Sequence, residues 1–355
     1  MLLSTHPRRA IGNWLFFTAF MVFAMAVIGA VTRLTESGLS MVEWKPLIGA
    51  IPPLSMAEWD RVFGLYKQTP EFIHKNSWME LTDFQRIFFW EWLHRLWGRV
   101  IGLVFALPLA WFWIKGQIPQ GYKGKFLGVL ALGGLQGVMG WFMVMSGLVD
   151  RPDVSHYRLA AHLLLALVIF CVLLWLAFDI KALSPPGRGL GEGAAAQQAM
   201  TSPSPLPSPQ GEREFCQKRH GWISFALLAV TITWGAFTAG LDGGMLYNTW
   251  PVMDSHWAPP EVFRHLGFLN EPGGVQFIHR WLAIAAFVAI MSFGWRFKNF
   301  PLILMAFLQV GLGIGTVLSQ AAIPIAALHQ AGAMVLLGLL VKQLHDLHAP
   351  SLRGA

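Results

Sequence analysis

The chain has 355 residues, of which 55% are hydrophobic and 13% charged. A soluble domain carries about a quarter charged residues, so the composition excludes an ordinary water-soluble fold. The net charge of +7 would suit nucleic acid in a soluble protein, but here the basic residues gather in short loops beside apolar runs and read as membrane topology, with lipids rather than nucleic acid as partner.

A bilayer span takes roughly 20 mostly apolar residues. Eight such runs follow one another at 12–32, 87–114, 126–148, 157–179, 222–241, 274–295, 301–319 and 324–343. The first follows Arg8 and Arg9, as in a signal peptide, but it is long for one and has a counterpart later in the chain. The loop 33–86 is too long for a connector. Its segment MVEWKPLIGAIPPLS (41–55) and several Trp suit either the capping of a hydrophobic ligand or a headgroup-level aromatic belt. Residues 183–214 are rich in Pro, Gly and Ser without apolar periodicity, which predicts a disordered tether. The Lys and Arg of the short loops place both termini in the cytoplasm. Cys171 lies within the fourth span and Cys216 in the cytoplasmic linker, so the two cysteines build neither a disulfide framework nor a thiolate metal site.

The chain repeats itself. GAVTRLTESGLSMVEW (29–44) aligns without a gap on GAFTAGLDGGMLYNTW (235–250), pairing Gly29 with Gly235, Thr32 with Thr238, Gly38 with Gly244 and Trp44 with Trp250. EWLHR (91–95) matches QFIHR (276–280), and LQGVMG (135–140) matches LQVGLG (308–313). The last match is of a kind that Leu- and Gly-rich helices also produce by chance. The common order predicts an all-α polytopic protein of eight transmembrane helices arranged as two duplicated four-helix bundles, related by an axis along the membrane normal. The expected divisions are 1–181, a linker over 182–220, and 221–355.

Four of the twelve histidines, His94, His162, His279 and His329, lie a short way into the even-numbered spans. Those spans all enter from the outer side, so the four share a depth. One intramembrane histidine alone is more often a packing residue. Two pairs, matched by the repeat, favour metal or haem ligation between helices. A bare zinc or non-haem iron would want further ligands, whereas two axial imidazoles suffice for haem, which brings four nitrogens of its own. Two haem sites near the outer, periplasmic face are expected. Arg95 and Arg280 follow a histidine in each half and could reach haem propionates or snorkel to headgroups.

The halves differ at one position. Glu91 precedes His94 by three residues, on the same helix face; its counterpart is the neutral Gln276. This predicts chemistry at the first site, with Glu91 handling a proton, and electron storage or relay at the second. A role for Glu91 in orienting an imidazole or pairing with Arg95 competes with that reading.

In TRLTESGLSMVEWKP (32–46), EWLHRLWGR (91–99), LYNTWPVM (246–253) and the four ordered histidines, the chain resembles the haem A synthase family of inner-membrane enzymes. The resemblance covers everything except the tether. It implies oxidation of the C8 methyl of haem O to a formyl group, with Glu91 as the essential acidic residue. His94 and His162 would hold the substrate haem, and His279 and His329 a resident haem b. Some members carry a cysteine pair in the first outer loop; this chain has no cysteine between 33 and 86. Haem O synthase is a candidate donor of the substrate, an electron-transfer partner is implied, and Gly-rich helices such as GVLALGGLQGVMG (128–140) could pair copies of the chain. A dihaem b-type electron-transfer protein accounts for the histidines equally well, but leaves the contrast between Glu91 and Gln276 unexplained. A transporter is a third reading, since parallel duplication is common there.

Overall fold

The computed structural model describes residues 5–43, 48–148, 152–183 and 209–348; Trp44 and Lys45 of the first-loop motif lie outside them. The described residues form helices and connecting loops, with no strand among them. Eight helices are long and apolar enough to cross a membrane: α1 (Thr5–Leu34), α3 (Leu81–Ile114), α4 (Lys123–Leu148), α5 (His156–Ala182), α6 (Pro209–Gly240), α8 (Pro272–Arg296), α9 (Phe300–Leu318) and α10 (Ile323–His348). Two short helices, α2 (Met56–Tyr66) and α7 (Gly267–Asn270), sit in the long loops at the opposite end from the termini.

Every expected span is present, and most helices run past the ends of their apolar runs; the starts of α3 and α6 are the two that change the reading. Helix α3 starts at Leu81, six residues before its apolar run begins, because Glu80 and Asp83 form a reciprocal capping box. The added residues carry Phe84, which with Ile87 and Phe88 at the start of the apolar run is buried against Phe63 and Tyr66 of α2. The expected linker over 182–220 is also too wide. Helix α5 runs to Ala182 and α6 starts at Pro209, so 209–220 is helical; residues 184–208 lie outside the described part.

Packing follows the chain order twice. Helix α1 lies against α3 and α5, and α4 fills in between α3 and α5. Helix α6 lies against α8 and α10, with α9 between those two. The first four spans meet the last four where α5 touches α6 and α10, and where α1 touches α10. These four helices hold the apolar centre, including Ile11, Leu15, Leu173, Ile180, Met334 and Leu340, all fully buried. Helices α4 and α9 are the least covered spans and face outward.

Lipid is as apolar as leucine, so spans associate through close packing and interhelical hydrogen bonds rather than by escape from water. The contact of α5 with α6 shows this. At the loop-rich end, a Cβ placed on Gly240 would lie 2.6 Å from Cβ and 2.9 Å from Cα of His156. Polar ties then fasten the join. Arg33 pairs with Asp242 at 2.8 Å, and the Tyr157 hydroxyl donates to Asn270 at 2.6 Å. At the other end His345, buried on α10, bonds Asp179 of α5 at 3.0 Å.

Gly240→Ala should force α5 and α6 apart and destabilise the protein by about 1–3 kcal/mol, visible as a lower thermal midpoint in detergent. Gly128→Ala on α4, where nothing lies within 4 Å, should leave the midpoint unchanged.

Candidate functional site

Each of the four span histidines packs on a glycine of a neighbouring helix. A Cβ on Gly29 of α1 would lie 3.1 Å from Cε1 of His94, and one on Gly235 of α6 would lie 3.0 Å from Cε1 of His279. On the other two helices, Gly140 of α4 stands 3.1 Å from Cε1 of His162 and Gly313 of α9 stands 3.0 Å from that of His329, measured in the same way. Gly29 aligns with Gly235 in the repeat, and Gly140 with Gly313. An imidazole edge can enter the helix–helix seam only where the facing residue has no side chain. That requirement explains the identity between LQGVMG and LQVGLG, which composition alone left open to chance.

The leading glutamine of each motif is also used. Gln136 Nε2 donates to the His162 carbonyl at 3.0 Å and lies 3.3 Å from each nitrogen of the same ring. Gln309 Nε2 donates to the His329 carbonyl at 3.0 Å and lies 3.2 Å from its Nδ1. Sequence reasoning quoted both motifs but passed over the glutamines. Their signal was the same repeat that singled out the histidines.

The imidazoles come together in pairs. The rings of His279 and His329 have centroids 6.4 Å apart and planes at 86°, and His94 and His162 are near enough to interact electrostatically. All four histidines are half-buried as residues. Among the described residues no group of three or more His, Cys, Asp or Glu could hold a bare metal ion. The two pairs are anchored differently. His279 donates Nδ1–H to the Thr231 carbonyl at 3.0 Å, whereas Nδ1 of His94 is buried without a partner among the described residues.

One turn above each of His94 and His279, the two sites differ in charge. Glu91 is 3% exposed. One of its oxygens accepts the Ser40 hydroxyl at 2.7 Å and the Met41 N–H at 2.6 Å, and the other accepts Arg95 at 2.5 Å. Arg95 continues to the carbonyls of Met41, at 3.0 Å, and Glu43, at 3.5 Å. In the second site Arg280 donates to the carbonyls of Tyr247, at 2.8 Å, and Thr249, at 2.9 Å, which are the aligned positions. Arg95 and Arg280 thus clamp the chain that follows α1 and α6, instead of snorkelling. Arg280 Nε remains unpartnered among the described residues.

Gln276 reverses the polarity of Glu91. It donates Nε2–H to the Tyr247 carbonyl at 3.0 Å, where Glu91 accepts from the Met41 amide. Leu246 stands where Ser40 would be, so the hydroxyl donor is lost together with the carboxylate. Acceptor and donor differ as a set, which single-residue inspection of Gln276 did not reveal.

The first long loop folds into a lid over Glu91. Phe84, Ile87, Phe88 and Glu91 form one buried stripe on α3, at the i, i+3, i+4, i+7 spacing of a helix face, and α2 covers its outer part. Within the lid Tyr66 is fully buried and donates to Glu71 at 2.9 Å, while Asn76 donates to the Tyr66 hydroxyl at 2.8 Å. Glu71, 4% exposed, has its carboxyl pushed up to about 8, mainly by burial. The bond from Tyr66 and the charge of Lys75 oppose the shift, and the charges of Glu91 and Glu36 add to it. Burial and Glu71 in turn raise the Tyr66 phenol well above its usual range.

These observations define a class: an eight-span helical membrane protein with paired intramembrane imidazoles under a folded loop, and a buried carboxylate beside one pair. A family model described as COX15-CtaA, cytochrome oxidase assembly protein, matches residues 12–341. The chain is 46% identical to the haem A synthase of Rhodospirillum centenum, over 96% of its own length and 89% of that protein's. It is 43% identical to the haem A synthase of Paramagnetospirillum magneticum, over 97% and 96% of the two chains, and 40% identical to that of Nitrosospira multiformis, over 93% and 91%. The chain belongs to the COX15-CtaA family.

A carboxyl held protonated by the fold gives up stability as it ionises. Glu71 titrates near 8 when folded and near 4.5 when unfolded, so the lid is most secure below the unfolded value and loses stability as pH rises through that window. The thermal midpoint should therefore fall by a few degrees from about pH 5 to pH 8, and Glu71→Gln should flatten that slope. Thermal scans of both proteins across that range check it.

Proposed function

We propose that the protein is a haem A synthase, an oxidoreductase that converts the C8 methyl of haem O to the formyl group of haem A. The observation that carries this is near full-length similarity to several haem A synthases, joined to paired imidazoles at the positions where the family motifs stand. The residues suit haem. The rings of His279 and His329, 6.4 Å apart, are spaced so that one metal ion could be held between them. No larger ligand cluster competes among the described residues.

In this reading the spans form two duplicated four-helix halves, 1–181 and 221–355. The same Arg-to-loop clamp, glycine seat and glutamine contact recur at aligned positions, which supports the duplication. His279 and His329 ligate a resident haem b. His279 suits a permanent ligand because its Nδ1–H is already committed to the Thr231 carbonyl, which leaves Nε2 as the metal donor. His94 and His162 hold haem O and release haem A; the lack of an Nδ1 partner on His94 suits a ligand that must let go. Bound haem supplies the iron chemistry that oxidises an unactivated methyl. The protein supplies placement, a lid that limits water, and Glu91.

Glu91 is fixed by Ser40, Met41 and Arg95, on the same helix face as His94. It accepts a proton, or stabilises developing positive charge, during C8 oxidation. Gln276 can do neither, and that contrast favours a synthase over a dihaem electron carrier. Arg280, through its unused Nε, and Arg95 are candidate propionate contacts. The sites face the periplasm, with both termini in the cytoplasm of a bacterial inner-membrane protein. Haem O arrives from its own synthase, and a separate electron-transfer partner completes turnover.

Mass spectrometry of haem extracted from protein co-expressed with a haem O source tests this reading. Haem O, its hydroxylated form or haem A should accompany haem b; haem b alone, at two per chain, would retire it. Glu91→Gln should lower haem A yield per folded protein about 100-fold or more, while loss of the charge beside Arg95 also lowers stability. Equal yield would remove Glu91 from the chemistry. His279→Ala and His329→Ala should lose the retained haem b, and His94→Ala and His162→Ala the substrate-derived haem.

A further inference from the structure

We infer that Gln309 and Gln136 are positioning residues for the eighth- and fourth-span imidazoles, each turning its amide so that Oε1 accepts the Nδ1 proton of a metal-bound ring. The inference rests on the reading of His329 and His162 as haem ligands.

A neutral imidazole that gives its Nε2 lone pair to iron carries its proton on Nδ1, and a buried N–H needs an acceptor. His279 has one in the Thr231 carbonyl at 3.0 Å. At His329 the group beside Nδ1 is a glutamine amide at 3.2 Å; at His162 the Gln136 amide nitrogen lies 3.3 Å from both ring nitrogens, so Gln309 carries the inference and Gln136 follows it by alignment. In both cases the nearer end is the nitrogen, which suits a ring without bound metal, since it can donate to an unprotonated Nδ1. The other end, Oε1, is buried without a hydrogen-bond partner among the described residues in Gln309 and in Gln136 alike. Two acceptors orphaned at aligned positions of the repeat are a duplicated feature rather than an isolated lapse.

A half turn of the amide meets the need. The terminal torsion of glutamine is broad and two-fold, so exchanging the two ends costs little in rotamer energy. Gly332 leaves the room: a Cβ there would lie 2.3 Å from Gln309 Oε1. The turn replaces the bond from Nε2 to the His329 or His162 carbonyl with an approach of two acceptor oxygens at about 3.0 Å, which disfavours it until a protonated Nδ1 offsets the contact; each carbonyl lies inside a helix and keeps its main-chain donor four residues on. The glutamine thereby serves both states, donating when the iron is absent and accepting when it is bound.

An acceptor on Nδ1–H raises the basicity of the ligand and favours ferric iron, so reduction potential is the readout. The protein is expressed without a haem O source, so that haem b is the haem measured, and potentiometric titration is combined with electron paramagnetic resonance of the ferric form. Gln309→Leu removes the acceptor and should raise the midpoint potential. Gln309→Glu, nearly isosteric and accepting only, should lower it and shift the ferric spectrum the opposite way. If Gln309→Leu does not fold, Gln309→Glu carries the test alone. Retained haem with wild-type potential and spectrum in Gln309→Glu overturns the inference, as does loss of haem from both variants without a shift in what remains. Wild-type protein that binds no haem b at all overturns the ligand reading beneath it.

Discussion

Burying four imidazoles among lipid-embedded helices is the constraint on which the rest of the structure depends. A polar ring at that depth has no water to bond and must find its partners on other helices. It must also fit into seams where backbones run close together. The protein meets both demands with one device used four times. A glycine opens the seam for the ring edge, and a carbonyl or amide from a neighbouring span takes up its polar atoms. Such a partner meets Nδ1 of His162, His279 and His329; of the four Nδ1 atoms only that of His94 lacks one among the described residues, and it belongs to the pair read as the place where haem is exchanged.

The second organising contact is the pair of arginine clamps. Arg95 and Arg280 each follow a histidine, and each holds two backbone carbonyls of the chain leaving the preceding odd-numbered span. This couples the depth of the histidine to the position of the loop above it. In the first half the clamp also pairs with Glu91, an ion pair that costs about 3–5 kcal/mol to break by removing one partner. The carboxylate is therefore fixed rather than mobile. The lid formed by α2 and the Tyr66–Glu71–Asn76 network closes over it, and only the first half carries such an elaborate cover.

Much of this was legible in the chain. Apolar run length gave all eight spans, because a helix crossing lipid must satisfy its own backbone bonds and show an apolar exterior along some 20 residues. The repeat brought out His94, His162, His279 and His329, and the single charge difference between Glu91 and Gln276. Other features were not legible, and the reasons are particular. The start of α3 was misjudged because its first turns are stabilised by a capping box and by packing under α2, not by lipid. The glutamines were overlooked because an amide in a Leu- and Gly-rich helix is unremarkable until its distance to a ring is known.

The sequence by itself determined the fold class, the order of the spans, the paired histidines and the asymmetry of charge, since these follow from hydropathy, period and residue identity along one dimension. Only the tertiary structure decided what each polar atom meets. It turned Arg95 and Arg280 onto loop carbonyls, gave Glu91 its three donors, set Gln309 against His329, and left Nδ1 of His94 unpaired among the described residues while that of His279 is bonded. Hydrogen bonds depend on ångström distances between helices remote in sequence, and no periodicity along the chain encodes those distances.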